Sequence, residues 1–539
     1  MADLATLVNV IPQRPSLLER RTKTRSSKAG IAAFMVALLG GLVYIGIHVA
    51  RDLTNVTVTN GWPYLLLGLA LLIALGFEFV NGFHDTANAV ATVIYTHSME
   101  PNIAVVWSGI CNLAGVLASS GTVAFAVITL LPVELILQLS SGAGYAMVFA
   151  LLIAAIIWNL GTWWFGLPAS SSHTMVGSII GVGVANQLLS AHTGTSGVDW
   201  EQALKVFKVL LISPVVGFAC AALLMLLSKW MVRYPSLYEA PKNDQPPPFP
   251  IRALMVLTCT GVSFFHGSND GQKGMGLIML ILIGTVPTAY ALNHAVTAQD
   301  IQDFIAASEQ AGHILDRHVD KRGILGEDAR AEVTEYIRTK QLQPDTILAL
   351  RELVEDLTHE VALYKVFKSV PAQDQTNVRN DMYVASEAIR LLQKSNNPAF
   401  TPEENAALKN YKAKVDKATR FIPNWVKVAV ALALGLGTMV GWKRIVVTVG
   451  EKIGKEHLTY AQGAAVGLVT MGTIFAADTF GLPVSTTHVL SSGVAGSMVG
   501  NGSGLRLSTI RNIASGWVFT LPAAAVLSAL LYWLFRAIS

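Results

Sequence analysis

FVNGFHDTANA, residues 79–89, and FFHGSNDGQKG, residues 264–274, align without a gap at an offset of 185, with Phe, Gly and Asp in matching places. Both sit within long apolar runs. A second pair, GLPASSSH from Gly166 to His173 and GLPVSTTH from Gly481 to His488, aligns at an offset of 315. The offsets differ by 130, close to the length of the one strongly charged stretch of the chain. The sequence therefore reads as two equivalent halves with an insertion inside the second.

Composition sets the environment. The chain has 539 residues, 52% of them hydrophobic and 14% charged, with a mean hydropathy of +0.48, too little polar surface for a water-soluble globule of this size. Of the 74 charged residues, 37 (20 acidic, 17 basic) lie between residues 294 and 424, leaving the rest of the chain at net +7. This pattern excludes a soluble enzyme and a nucleic-acid-binding patch. It describes an all-α polytopic membrane protein in contact with lipid, with one soluble insert.

The organisation expected is a basic cytoplasmic N-terminus over 1–28, an extra transmembrane helix over 29–50, a first repeat over 62–232, a second over 251–293 and 424–535, and a soluble helical insert over 294–423. Six basic residues from Arg14 to Lys28 precede the first apolar run and place the N-terminus inside. Spans are predicted at about 62–80, 102–131, 144–167, 206–232, 251–266, 274–293, 424–442, 459–478 and 512–535. The Gly- and Ser-rich runs 169–190 and 484–500 read as re-entrant, giving 10 to 12 membrane elements. In the insert, Ile347, Leu350, Leu353, Leu357, Val361 and Tyr364 form an apolar stripe, and Thr401, Pro402 and Glu404 form a capping box. Cys111, Cys220 and Cys259 lie in apolar runs without metal-ligand spacing, and no cofactor is expected.

Each half is thus expected to hold one helix interrupted by a Gly- and Asp-bearing polar segment and one Gly-Leu-Pro break followed by hydroxyls. Unwound backbone at membrane depth belongs where it lines a cavity, and paired breaks mark the substrate site of an inverted-repeat secondary transporter. Pro168 and Pro483 are read at helix starts, where Ser171, Ser172, Thr486 and Thr487 offer hydroxyls and free N–H groups to an oxyanion. Asp85 and Asp270 then select for an oxyanion that keeps a proton. Phosphate can donate that proton to a carboxylate and sulfate cannot. The same carboxylates can hold a coupling cation. Glu78, in the run leading into the first polar segment, is a candidate relay.

At these residues the chain resembles the PiT family of inorganic phosphate transporters, chiefly its bacterial low-affinity members, over about 62–293 and 424–535. The resemblance implies an inverted-repeat fold with broken helices and re-entrant hairpins in the bacterial inner membrane, and ion-driven uptake of inorganic phosphate. It also implies passage of the substrate as a neutral complex with a divalent metal, together with protons. The family's Asn-Asp pair and following amide map onto Asn269, Asp270 and Gln272, and in the first half onto His84, Asp85 and Asn88. His84 stands where sodium-coupled relatives carry Asn. Imidazole is a poor ligand for a hard cation and titrates near neutrality, so protons are favoured over sodium. A sulfate permease and sodium-coupled symport are the alternatives. A Ser-Thr-Thr-His hydrolase fails because no third group orients the His. The oligomeric state, a homodimer among the options, is left open.

Overall fold

A chain this apolar must satisfy its backbone N–H and C=O groups internally, which helices do within one segment. The computed structural model describes residues 18, 28–54, 62–131, 136–137, 142–189, 198–241, 246–319, 328–364 and 366–538, and among these the only β pairing is an isolated bridge between Gly454 and Leu505. The basic N-terminal segment expected to be cytoplasmic lies outside the described residues apart from Leu18 and Lys28.

The membrane body begins with α1 (Lys28–Leu53), α2 (Trp62–Asp85), α3 (Ala87–Tyr95), α4 (Pro101–Ala118) and α5 (Thr122–Ile128). It continues with α6 (Gly142–Trp164), α7 (Ser171–Leu189), α8 (Trp200–Met231) and α9 (Phe249–Thr285). Five helices follow outside it: α10 (Ala298–His318), α11 (Ala329–Thr339), α12 (Thr346–Ala362), α13 (Gln375–Ser395) and α14 (Pro402–Thr419). The chain then re-enters as α15 (Asn424–Thr438), α16 (Lys443–Val447), α17 (Tyr460–Thr479), α18 (Thr486–Asn501) and α19 (Leu507–Ile538). Among the described residues eight helices, with Tyr64–Tyr95 taken as one, are long and apolar enough to cross a membrane. The shorter α7, α15 and α18 complete the body.

Expectations for three segments are corrected. The runs 251–266 and 274–293 are not separate spans, because α9 is one 37-residue helix passing unbroken through FFHGSNDGQKG. The break expected in FVNGFHDTANA shrinks to Thr86, whose hydroxyl donates to the carbonyls of Gly82 (2.7 Å) and Thr438 (2.9 Å). The polar side chains of both segments find partners on neighbouring helices, so the backbone has no need to unwind. Where one span was predicted over 102–131, Ser119–Gly121 separates α4 from α5, with Gly121 at φ +90°.

The Gly-Leu-Pro segments do break the chain. Gly166 and Gly481 close α6 and α17 in the left-handed region, at φ +65° and +64°. The next N–H reaches back to the helix end in both, Leu167 to the Thr162 carbonyl (2.9 Å) and Leu482 to Ala477 (2.8 Å). Pro168 and Pro483 occupy the extended links that follow, not the first helical positions expected. The links end at Ser170 and Ser485, whose hydroxyls accept the N–H groups of His173 and His488, each at 3.2 Å. Both helices then double back. Thr174 of α7 donates to Asn159 of α6 (2.9 Å), and Gln462 at the start of α17 reaches Ser503 beyond the end of α18 (3.3 Å).

Helix crossings are tight. Gly115 of α4 and Gly267 of α9 face each other's backbones: a methyl at Gly115 would strike the Phe264 carbonyl, and one at Gly267 the Asn112 carbonyl. The returning helices pair crosswise, α7 against α19 and α18 against α8.

The five outer helices build their own core, including Phe304, Leu350, Leu357, Met382, Leu392 and Tyr411. The capping box is formed, with the Glu404 N–H donating to the Thr401 hydroxyl at 3.2 Å. This domain docks through Arg379, buried and donating to the Ile136 carbonyl (3.4 Å) and Asn380 (3.0 Å); burial lowers its pKa to about 10. Lys340 adds an ion pair to Asp199 at 3.0 Å. Arg379→Ala is expected to loosen the docking and speed limited proteolysis of the five-helix domain several-fold. An unaltered cleavage rate would move the docking elsewhere.

Candidate functional site

Four elements converge on Asp85 at the end of α2. Its Oδ1 accepts the Thr487 hydroxyl of α18 at 2.5 Å and lies 3.2 Å from His84 Nδ1. Its Oδ2 accepts the Ser171 hydroxyl of α7 at 2.8 Å. Ser171 also lies 3.4 Å from Asp270 Oδ2 on α9, so one hydroxyl bridges the two carboxylates. Asp85 and Asp270 are 2% and 0% exposed, which encloses the cluster completely.

The remaining contacts hold this centre in place. Asn88 Nδ2 donates to the hydroxyls of Thr486 (2.9 Å) and Thr487 (3.1 Å). On the other side, Lys273 Nζ stands 2.7 Å from Asp270 Oδ1 and donates to Ser172 Oγ at 2.5 Å, while Ser172 donates to the Val484 carbonyl at 2.9 Å. Because Ser170 and Ser485 do the capping, the hydroxyls of Ser171, Ser172, Thr486 and Thr487 in the first helical turns remain directed at the cluster. The N-terminal ends of α7 and α18 therefore both point at one buried place, where their free N–H groups favour negative charge.

Three of the predicted residues bind outside this centre. Asn269 donates to the Leu482 carbonyl at 3.1 Å. Gln272 accepts the Val123 N–H (2.9 Å) and donates to the Ser268 carbonyl (2.8 Å) and Asp478 Oδ1 (3.0 Å). Both tie α9 to neighbouring segments. Glu78 is fully buried, accepts from Asn81 at 3.5 Å and fills the notch left by Gly274. His173 and His488 pack behind the caps, their rings 4.5 Å apart, with His488 stacked on Trp517.

One residue that sequence reasoning passed over is central. His266 Nε2 lies 3.7 Å from both Asp85 Oδ2 and Asp270 Oδ2, and its Nδ1 is 2.9 Å from Asn112 Oδ1. Its signal was present, for it stands four residues before Asp270, one turn away on the same helical face. Asp85, His266 and Asp270 bring one donor atom each within 4.8 Å of one another, a spacing that fits a metal ion. The carboxylate and imidazole donors suit a divalent first-row transition metal.

A solvent-accessible cavity lies elsewhere. A cleft of about 890 Å³, open to solvent beside Gly166, is lined by Lys443, Arg444, Lys452, Lys455 and Arg506, with Glu451 and Glu456. The carboxylate cluster, by contrast, is enclosed and desolvated, and the cleft borders the first Gly-Leu-Pro turn.

The phosphate transporter family matches residues 81–528, which include every residue of the cluster. The chain belongs to that family. Among curated phosphate transporter relatives, the low-affinity inorganic phosphate transporters PitA and PitB of Escherichia coli K12 are 42% and 40% identical to this chain, each match covering 87% of it and 96% of the relative. A solved structure titled as the sodium-dependent phosphate transporter covers 88% of this chain and 100% of its own at 20% identity and a TM-score of 0.48, a likeness too slight to bear an argument.

Proposed function

We propose that the protein imports inorganic phosphate across the bacterial cytoplasmic membrane by symport with protons, the substrate passing as a neutral complex with a divalent metal. The observation that carries this reading is the meeting of two helix starts, α7 and α18, on a pair of buried carboxylates. In this scheme Ser171, Ser172, Thr486 and Thr487, with the first-turn N–H groups and Asn88, hold the phosphate oxygens. Asp85, Asp270 and His266 receive the metal, and a carboxylate of the pair accepts a hydrogen bond from the proton that phosphate carries. Sulfate has no such proton and would leave like charges facing each other. The names of the relatives support the substrate. The matched Gly166 and Gly481 turns support two transport repeats, 62–232 and 251–293 with 424–535, with the 294–423 domain outside the path.

A proton fits between His84 and Asp85. When the Thr162 hydroxyl donates to the Trp158 or Asn159 carbonyl (3.0 and 3.1 Å), its oxygen accepts from His84 Nε2 at 3.2 Å, and the Nδ1 contact to Asp85 then needs a proton of its own. When that hydroxyl turns to donate to Nε2, the pair holds one proton fewer. In proteoliposomes, phosphate entry is expected to alkalinise the outside, to persist with choline in place of sodium and to stop on chelation of divalent metal. Strict dependence on sodium would reverse the coupling. His84→Asn is expected to flatten the pH profile of uptake, and an unchanged profile returns His84 to a structural role.

A further inference from the structure

One contact of the cluster recurs in both halves, and there the two halves differ by one charge. At the offset of 185 Asn88 corresponds to Lys273, and at 315 Ser172 corresponds to Thr487. In both halves the residue three beyond the Asp donates to the hydroxyl on the returning helix: Asn88 to Thr487 at 3.1 Å, Lys273 to Ser172 at 2.5 Å. Only the second donor is an ammonium. Lys273 is 1% exposed, and its nearest anion is Asp270 Oδ1 at 2.7 Å. A lysine this deep in a membrane body is costly unless an adjacent carboxylate meets it.

We propose that Lys273 is a tethered monovalent cation, occupying the place beside Asp270 and Ser172 that a free sodium ion would otherwise have to fill. A carboxylate oxygen, a hydroxyl oxygen and a compact positive charge between them are what a sodium site offers and needs, and the Lys273 ammonium stands in for the ion. The consequence is a charge balance. Asp85 and Asp270 bring two negative charges, Lys273 cancels one, and a neutral metal-phosphate adds none, so a single coupled cation completes neutrality. This deepens the proton-coupled reading above and rests on it.

The test copies the first half into the second. Full-length wild type and Lys273→Asn are reconstituted in proteoliposomes, and labelled phosphate uptake driven by an imposed pH gradient is measured in choline and in sodium media. Wild-type uptake should be the same in both. Lys273→Asn should lose at least about tenfold in choline and recover at least about fivefold on adding sodium, as a buried carboxylate stripped of its partner regains a cation. In detergent, sodium should raise the Tm of Lys273→Asn and leave wild type unmoved. Lys273→Gln, closer in length, serves if the Asn protein does not insert.

Wild-type uptake in choline from either variant, or low uptake that sodium neither stimulates nor accompanies with a Tm shift, overturns the inference while leaving proton coupling intact. A wild type that itself demands sodium sinks the coupling reading first, and this one with it.

Discussion

Proteoliposomes carrying Asp85→Asn are expected to accumulate phosphate at least about a hundredfold more slowly than wild type, although the protein inserts and elutes normally. Asp85 accepts from Thr487 and Ser171 and lies beside two imidazoles. Asn keeps the shape of the group but turns one acceptor oxygen into a donor. Both oxygens of Asp85 accept hydroxyl protons, so whichever becomes the donor forces Ser171 or Thr487 to turn its proton away, and the negative charge of the site is gone. Asp270→Asn should fall equally far, since it also leaves Lys273 as an unpaired buried charge. Labelled phosphate uptake is the measurement. Near-normal rates in both variants would remove the two carboxylates from the transport path.

The next largest effect is structural. Gly115→Leu is expected to destabilise the membrane body by about 3 kcal/mol or more, because its new side chain starts inside the Phe264 carbonyl and only a separation of α4 from α9 makes room. The same separation breaks the His266–Asn112 contact, so what folded protein remains should transport poorly. Gly161→Ala, where nothing lies within 4 Å of the added methyl, is the neutral control. Equal Tm values and folded yields for the two variants would show that α4 and α9 need no close approach.

Much of this was legible in the residues. Long apolar runs gave most of the helices, since length and hydropathy are local properties. The Gly-Leu-Pro turns were readable because a left-handed Gly and a following Pro end a helix by backbone geometry alone. The convergence of Asp85, Asp270, Ser171 and Thr487 followed from placing four polar segments in two halves. The continuity of α9 was not readable in the same way. Ser268, Gln272 and Lys273 look like reasons to unwind until Asp478, the Val123 N–H and Ser172 are known to meet them, and those partners lie 101 to 210 residues away in sequence. The same distance hid the separate employment of Asn269 and Gln272. His266 was missed although it sits inside the quoted repeat, because only the carboxylates stood out as costly.

The crosswise pairing of the returning helices bears on how the molecule is made. Tyr532 of α19 donates to Asn186 of α7 at 2.8 Å, and Ser528 to the Ser178 carbonyl at 2.8 Å. As the ribosome releases α7, these partners lie some 350 codons downstream, so the nascent hairpin waits with the Asn186 amide oxygen without its Tyr532 partner. The converse holds for α18, which finds Lys229 of α8 already made and donating to the Asn501 carbonyl at 2.7 Å. Cut between α8 and α15, each fragment would lack the helix that the other's returning helix packs against.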